Sequence, residues 1–249
     1  MKQLMAYVSP NKTLDKRTEQ LFKMQIDNSL EMGWDVKDIV LAANFKYKYR
    51  GVESLDIKYA GIRGINPRNN KALVISYLLN NGMLGDDLYW CHDFDAFQMY
   101  DMSGLEFEME GFDLGLTSYA YKDEWQCGNV FFKKEAKDIF NLWKLAMVYI
   151  PRNNRCEEKV LKKLTDWGAI GENRYKSLNN TYNFGCKFVK TCYALAIKPI
   201  RVVHFNPWEV DPTACDPQVL NIMMYGNNRL KKVLMTDRLI KIFKEYKIL

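Results

Sequence analysis

The sequence is poor in histidine: its 249 residues carry two, His92 and His204. A His-rich metal cluster is thereby excluded, and any imidazole chemistry falls to one of those two. Closely spaced cysteines are missing as well. Cys91, Cys127, Cys156, Cys186, Cys192 and Cys215 contain no Cys-x-x-Cys pair. That spacing marks zinc knuckles and dithiol redox motifs, and the dense framework of a small secreted disulfide scaffold is absent too. The six read as reduced thiols, mostly buried as small apolar residues, and suit a cytoplasmic location. No run reaches the ~18–20 apolar residues of a membrane helix, so no integral membrane segment is expected. Met1–Val8 is too short for a signal-peptide apolar region and reads as a strand. Neither an internal repeat nor a low-complexity linker occurs. Net charge is small, +6 from 36 Lys+Arg and 30 Asp+Glu.

What is present suits a folded globular chain. Apolar residues at 48% and charged residues at 27% are ordinary, and they argue against disorder and fibres. Aromatics, at 14%, are abundant. The length suits one large domain with a sizeable core, or two small ones.

Periodicity outlines the first half. Leu4–Ser9 is a short apolar run ended by Ser9-Pro10-Asn11, a strand and then a turn. Leu14, Leu21, Phe22, Ile26 and Leu30 recur at helical spacing across residues 15–32, and Gly33 stops the helix. Asp38–Asn44 is apolar enough to be a strand buried on both faces. A polar, Gly-rich segment follows. Asn70–Asn81 then reads as a helix, and Asp87–His92 as a strand running into Asp93-Phe94-Asp95. Strand, helix, strand, helix, strand is the grammar of a parallel α/β sheet. Ligands bind such sheets at the carboxyl ends of their strands, where Asp93 and Asp95 lie. In the second half, Leu114–Ala120, Gly128–Lys133 and Arg201–Phe205 read as strands. Ala136, Ile139, Phe140, Trp143, Met147 and Ile150 mark an amphipathic helix, and Glu157–Asp166 a shorter one. Arg229–Lys247 is a basic helix with seven Lys/Arg against two Asp/Glu, and it holds most of the net charge.

Chemistry concentrates in Trp90-Cys91-His92-Asp93-Phe94-Asp95-Ala96-Phe97. Two carboxylates two residues apart, just past a buried strand, can share a hard divalent cation with substrate phosphates. A cation held so neutralises charge on a leaving diphosphate. The same pair can also simply cap a turn. His204, at the end of a late apolar strand and followed by Asn206-Pro207-Trp208, either completes a metal site or is a buried, hydrogen-bonded core histidine.

In this order, these segments resemble the GT-A-type nucleotide-sugar glycosyltransferases. The resemblance spans roughly Met5 to Trp208. It includes the strands at Met5–Ser9 and Ile39–Asn44, a helix carrying Lys71, and the Asp-x-Asp at Asp93 and Asp95. It continues through Gly128–Phe132, similar to an Asn-x-Gly-Val-Phe segment, and Ser177–Asn183, similar to Leu-Pro-x-x-Tyr-Asn, to the late His204. Two departures stand out: Gly128-Asn129 reverses the order of small and polar residues, and Asn180 replaces a proline.

The resemblance implies an α/β fold: a single GT-A-like, Rossmann-type mixed sheet flanked by helices over residues 1–210, with a C-terminal basic helical extension over 211–249. It implies that Asp95 and His204 hold Mn²⁺ or Mg²⁺, with Asp93 touching the metal or the ribose. Tyr7, Ser9 and Asn44 would lie against the base. Lys71, with Arg63 or Arg68, would reach the diphosphate of a nucleotide-sugar donor, a UDP-sugar being favoured. Arg63, Arg68 and Lys71 read equally well as a solvated basic loop. Glu157 and Glu158 either face the sugar or acceptor, or supply negative charge to a helix N-terminus. Trp125 is either a stacking surface or a core residue. Asp113, Asp123 and Glu124 are further candidate carboxylates.

The segments at Asn44–Gly51 and His92–Gln98 are similar to small GT-A-like proteins of tailed phages, which implies the host cytoplasm as location. Lys46–Arg50 interleaves three basic residues with two tyrosines, a pattern suited to a nucleic-acid backbone and stacked bases. A hydroxymethylated pyrimidine in DNA is therefore the expected acceptor, with a glycan or lipopolysaccharide as the alternative. A non-catalytic module binding nucleotide-sugar or nucleic acid is the competing reading of another class. An Asp-x-Asp phosphatase wants its pair after the first strand, and a two-metal nuclease wants further carboxylates around it.

Overall fold

The computed structural model describes residues 1–9, 11–58, 70–149, 156–185, 189–205 and 236–248. Arg63, Arg68, Cys186, Cys215, Ile150, the Asn206–Trp208 turn and the first part of the basic terminal segment lie outside the described residues.

Strand β1 (Lys2–Tyr7) lies at the middle of the main sheet. Successive side chains of a strand point to opposite faces. Leu4 accordingly enters one apolar core and Met5 the other. Helix α1 (Lys16–Glu31) starts where Asp15 accepts the backbone N–H groups of Arg17 and Thr18. It returns the chain to β2 (Ile39–Ala43), parallel to β1. The segment that looked merely polar and Gly-rich then forms a hairpin of β3 (Lys48–Tyr49) and β4 (Val52–Asp56). Its turn places Arg50 and Gly51 at positive φ. Helix α2 (Lys71–Asn80) is buried on nearly every side and leads to β5 (Tyr89–His92).

After β5 the chain makes a tight turn into β6 (Ala96–Gln98), then α3 (Leu105–Glu108), β7 (Leu114–Ser118) and β8 (Trp125–Phe132). Helices α4 (Lys137–Tyr149) and α5 (Glu157–Asp166) follow, then β9 (Tyr175–Leu178), β10 (Phe184–Gly185), α6 (Val189–Leu195), β11 (Val202–His204) and α7 (Asp237–Glu245).

The eight-stranded sheet runs β3-β4-β2-β1-β5-β8-β7-β9. β4, β2, β1 and β5 are mutually parallel, whereas β8 is antiparallel to both β5 and β7. The sheet is thus mixed. A second sheet, β10-β11-β6, pairs β6 antiparallel with β11.

Helices cover both faces. α2, α4 and α5 share one apolar core with Ala42, Cys91, Val130 and Phe132 of the strands. On the other face α1 packs with Met5, Leu41, Phe97, Val203 and the apolar side of α7. Fully burying each such side chain contributes about 1.5–3 kcal/mol. The terminal helix is thus part of the core, through Leu239, Ile242 and Phe243. Tyr246 donates to Asp27 at 2.5 Å, and Arg238 donates to Asn28 and to the Gln98 carbonyl.

Strand alternation divides the Lys46–Arg50 pattern between two faces. Lys46, Lys48 and Arg50 face outward, but Tyr47 packs edge-on against Phe22, and the Tyr49 hydroxyl donates to Asp27. The two rings are half-buried, and each contacts α1. No helix among the described residues is long and apolar enough to cross a membrane. Cys91, Cys127 and Cys156 are free thiols, the first two of them buried.

Candidate metal centre

Two chain segments distant in sequence build the centre. At the carboxyl end of β5, Asp93 N–H donates to the Gly128 carbonyl and Ala96 N–H to the Asp93 carbonyl, closing a turn over Asp93–Asp95. Phe94 anchors this turn by stacking on Phe22 at 4.4 Å between centroids. Gln25 of α1 donates to the carbonyls of Phe94 and Ala96. With Phe94 directed to the core, Asp93 and Asp95 are left to the strand edge. β11 then pairs with β6 so that His204 lies opposite Ala96, and Phe205 N–H donates to the Asp95 carbonyl.

His204 Nε2 sits 3.2 Å from Asp95 Oδ1 and 3.7 Å from Asp93 Oδ2. One ligand atom from each of the three residues lies within 4.8 Å of the others. Their side chains are 43%, 11% and 6% exposed for Asp93, Asp95 and His204, so the cluster opens to solvent on the Asp93 side. Two carboxylates and an imidazole suit a hard or borderline divalent cation such as Mg²⁺ or Mn²⁺. Burial alone would lower the His204 pKa, but Asp95 and Asp93 outweigh it and hold it above the usual histidine value. Burial would raise Asp95, yet His204 holds it below the usual carboxylate value.

The structure also explains Gly128. A Cβ there would meet His204 Cε1 at 2.0 Å and Nδ1 at 2.2 Å, so the ring rests directly on bare backbone. The reversed Gly128-Asn129 order follows from this packing. Asn129 is buried and joins Trp90 Nε1 to Asn183, which in turn donates to Thr117 and to the Gln126 carbonyl. Asn180, in place of proline, donates to the Cys192 carbonyl.

Lys71 is buried at the first turn of α2. Its Nζ pairs with Asp93 Oδ1 at 2.8 Å and donates to the Cys127 carbonyl. Burial opposes its charge, but Asp93, Cys91 and Glu157 raise its pKa overall. Glu157 is buried alongside, and its Oε1 accepts the Ala72 N–H. It therefore caps α2, a neighbouring helix, rather than the start of its own α5. Burial pushes its carboxyl up to about 7, against the pull of Lys71. Glu158 accepts from the Tyr119 hydroxyl at 2.6 Å.

The second histidine is structural. His92 stacks on Trp90 at 4.3 Å, its Nδ1–H donates to the Asp93 carbonyl, and Nε2 accepts from Gln3. Burial depresses its pKa to about 4, which keeps it neutral. Ser9 and Asn44 clasp one another, the Ser9 N–H donating to Asn44 Oδ1 and Asn44 Nδ2 to the Ser9 carbonyl. Tyr7 lies beside them against Phe22, Phe45 and Phe94. Trp125 is set apart: its indole donates to Thr165 of α5 and meets Tyr175 edge-on. Asp113, Asp123 and Glu124 are paired with Arg174, Lys162 and Lys122. The structure thus gathers Asp93, Asp95, His204, Lys71 and Glu157. Gln25 holds the Asp93–Asp95 turn without any sequence signal, because it acts on a partner far along the chain.

No protein-family model matches the chain, and no curated protein sequence matches it. Solved structures do match its fold. One is the galactosyltransferase LgtC, crystallised with donor and acceptor sugar analogues, at 10% identity over 98% of this chain and 96% of that one, TM-score 0.57. A second is the glycosyltransferase GlyE of Streptococcus pneumoniae TIGR4, at 12% identity over 99% of this chain and 63% of that one, TM-score 0.57. A third is a glycosyltransferase involved in glycosylating the major capsid of PBCV-1, at 11% identity over 90% of this chain and 99% of that one, TM-score 0.51. The chain therefore has a GT-A-like fold: a mixed Rossmann-like sheet flanked by helices, with its Asp-Asp-His cluster at the carboxyl edge of β5.

Proposed function

We propose that this protein is a metal-assisted glycosyltransferase that moves a sugar from a nucleotide-diphosphate sugar to a hydroxyl of a glycan acceptor. The observation that carries the proposal is the convergence of Asp93, Asp95 and His204 at the edge where this fold class binds ligands. When bound there, Mn²⁺ or Mg²⁺ would supply Lewis-acid neutralisation of the departing diphosphate. Asp95 and His204 would hold the ion from the buried side, and Asp93 would complete the set from the solvent side. Lys71, already paired with Asp93, adds a fixed positive charge, and its buried ammonium needs no reorganisation as negative charge develops. Ser9, Asn44 and Tyr7, at the ends of β1 and β2, form the wall against which the base would rest. Glu157, with a pKa near neutrality, tunes the charge around Lys71.

A glycan acceptor is favoured over DNA on two grounds. Tyr47 and Tyr49 are inward, and on the terminal helix Arg238 is occupied with Asn28, Gln98 and Met99, while Lys241 pairs with Glu31. The similar solved enzymes are also described in terms of acceptor sugars and glycosylation.

Calorimetry with UDP, GDP and their sugars, with and without Mn²⁺, tests the donor half. Metal-dependent nucleotide binding is expected, and no binding under any metal condition would refute it. Transfer of labelled sugar to oligosaccharides, set against hydroxymethylated and plain DNA, tests the acceptor. Labelling of hydroxymethylated DNA alone would reverse the assignment.

A further inference from the structure

The His204 imidazole has two nitrogens, and Nε2 is the one that faces the carboxylates. Nδ1 faces the side-chain amide of Gln126, with Nε2 of that amide 3.3 Å away. Gln126 is 2% exposed. Its backbone carbonyl is tied down by Asn183 Nδ2 at 3.0 Å and by Thr117 Oγ1 at 3.5 Å.

An irregularity between β7 and β8 sets this position. Leu116 pairs with Val130, but the next residue, Thr117, pairs with Gln126. Cys127, Gly128 and Asn129 therefore bulge from the β7 edge of the ladder. A bulge of this kind re-aims side chains near a functional site. Here it puts Gly128 beneath the imidazole and the Gln126 amide at its Nδ1 edge. Ring and amide are thus seated by the same device.

We propose that Gln126 is a positioning residue that fixes the orientation and tautomer of His204 for cation binding. The proposal rests on the metal-assisted reading of this site. A ligating imidazole nitrogen carries no proton, and its partner on the other nitrogen sets which one is bare. For Nε2 to bind a cation, Nδ1 must keep its proton and donate it to an acceptor. The imidazolium form, protonated at both nitrogens, gives its Nε2 proton to solvent as the cation takes that position, while Nδ1 keeps its own. A half-turn of the Gln126 amide offers Oε1 to that N–H. In the arrangement seen, the amide nitrogen faces Nδ1 and Nε2 faces Asp95; a neutral ring with its proton on Nε2 would release that proton to solvent and take one from solvent at Nδ1 as the cation binds. An amide serves both states because it carries a donor and an acceptor of nearly equal shape.

The test uses the full chain labelled with ¹⁵N-histidine, which gives signals from His92 and His204 alone. In Mg²⁺-loaded wild type, His204 should show a protonated Nδ1 and a bare Nε2. Calorimetry with Mn²⁺ alone should show Gln126→Leu weakened about 10–100-fold, as loss of such outer partners does. Gln126→Glu, which restores an acceptor, should return to within about threefold of wild type on the same scale. If Gln126→Leu fails to fold, Gln126→Asn withdraws the amide by one methylene and should show the same loss. Wild-type affinity in the Leu or Asn variant, or a protonated Nε2 in the Mg²⁺ form, would overturn the role of Gln126 alone. A wild-type protein that binds neither ion would overturn the metal reading and this proposal with it.

Discussion

Gly128→Ala puts one methyl group against the centre. An ordinary contact for that Cβ is 3.4–4 Å, but it would meet His204 Cε1 at 2.0 Å and Nδ1 at 2.2 Å. The ring must retreat by about 1.4 Å, whereas metal–ligand distances tolerate only about ±0.2 Å. His204 is 5% exposed and boxed by β6 and β8, so no free rotation absorbs the shift. The expected loss of Mn²⁺ affinity is about 100-fold or more, equivalent to about 2.8 kcal/mol. Overpacking adds a stability loss of about 1–3 kcal/mol. Gly115→Ala is the control. Its Cβ would meet Met109 Sδ at 2.6 Å and Leu178 Cδ1 at 2.8 Å, in a core cluster that contains none of the three ligands. It should destabilise the protein while leaving Mn²⁺ binding intact. Calorimetry and urea denaturation on both variants separate the effects. Gly128→Ala binding Mn²⁺ within twofold of wild type would refute the packing argument.

Further outcomes follow from the same contacts. Asp95→Asn keeps the shape of the buried ligand but removes its charge, and should lose Mn²⁺ binding beyond calorimetric detection; retained binding would remove Asp95 from the centre. Lys71→Met should lower nucleotide-diphosphate affinity at least about tenfold, since a preorganised cation is lost; unchanged affinity would mean that Lys71 serves only the fold. His92 titrates near 4 when folded and near 6.5 when free, so its contribution to stability is complete above pH 6.5 and is lost as pH falls toward 4. That gap is worth roughly 3 kcal/mol, and the stability difference between wild type and His92→Gln should shrink by that order from pH 7.5 to 4.5 in urea melts. A difference that does not change with pH would be incompatible with a neutral buried imidazole. Tyr246→Phe removes the hydroxyl that donates to the buried Asp27 and should cost about 1.5–3 kcal/mol; no change in the urea midpoint would show that this hydrogen bond contributes nothing to the docking of α7.

Local pattern carried much of this molecule. The helical spacing of Leu21, Phe22 and Ile26, the stop at Gly33 and the short apolar strands are nearest-neighbour effects. They foretold α1, α2, α4, α5 and the strands β1, β2 and β5. The scarcity of histidine directed attention to His204, and the position of Asp93 and Asp95 past a buried strand marked the edge of the site. β3, β4, β6 and β10 were illegible because two to five residues carry too little periodicity. At Lys46–Arg50 alternation gives two faces without saying which is covered; α1 and Tyr246 lie on the tyrosine face.

By itself, then, the sequence determined the order of the main elements, the carboxylate pair and the two histidines from which a third ligand could come. Tertiary structure alone decided that His204 reaches Asp95, because a β6–β11 pairing across more than a hundred residues sets that distance. It alone decided that Gly128 lies under the ring, that Gln126 stands at Nδ1, and that Glu157 caps α2 beside Lys71. Those contacts join residues far apart in the chain, and only the packed sheet brings them within reach.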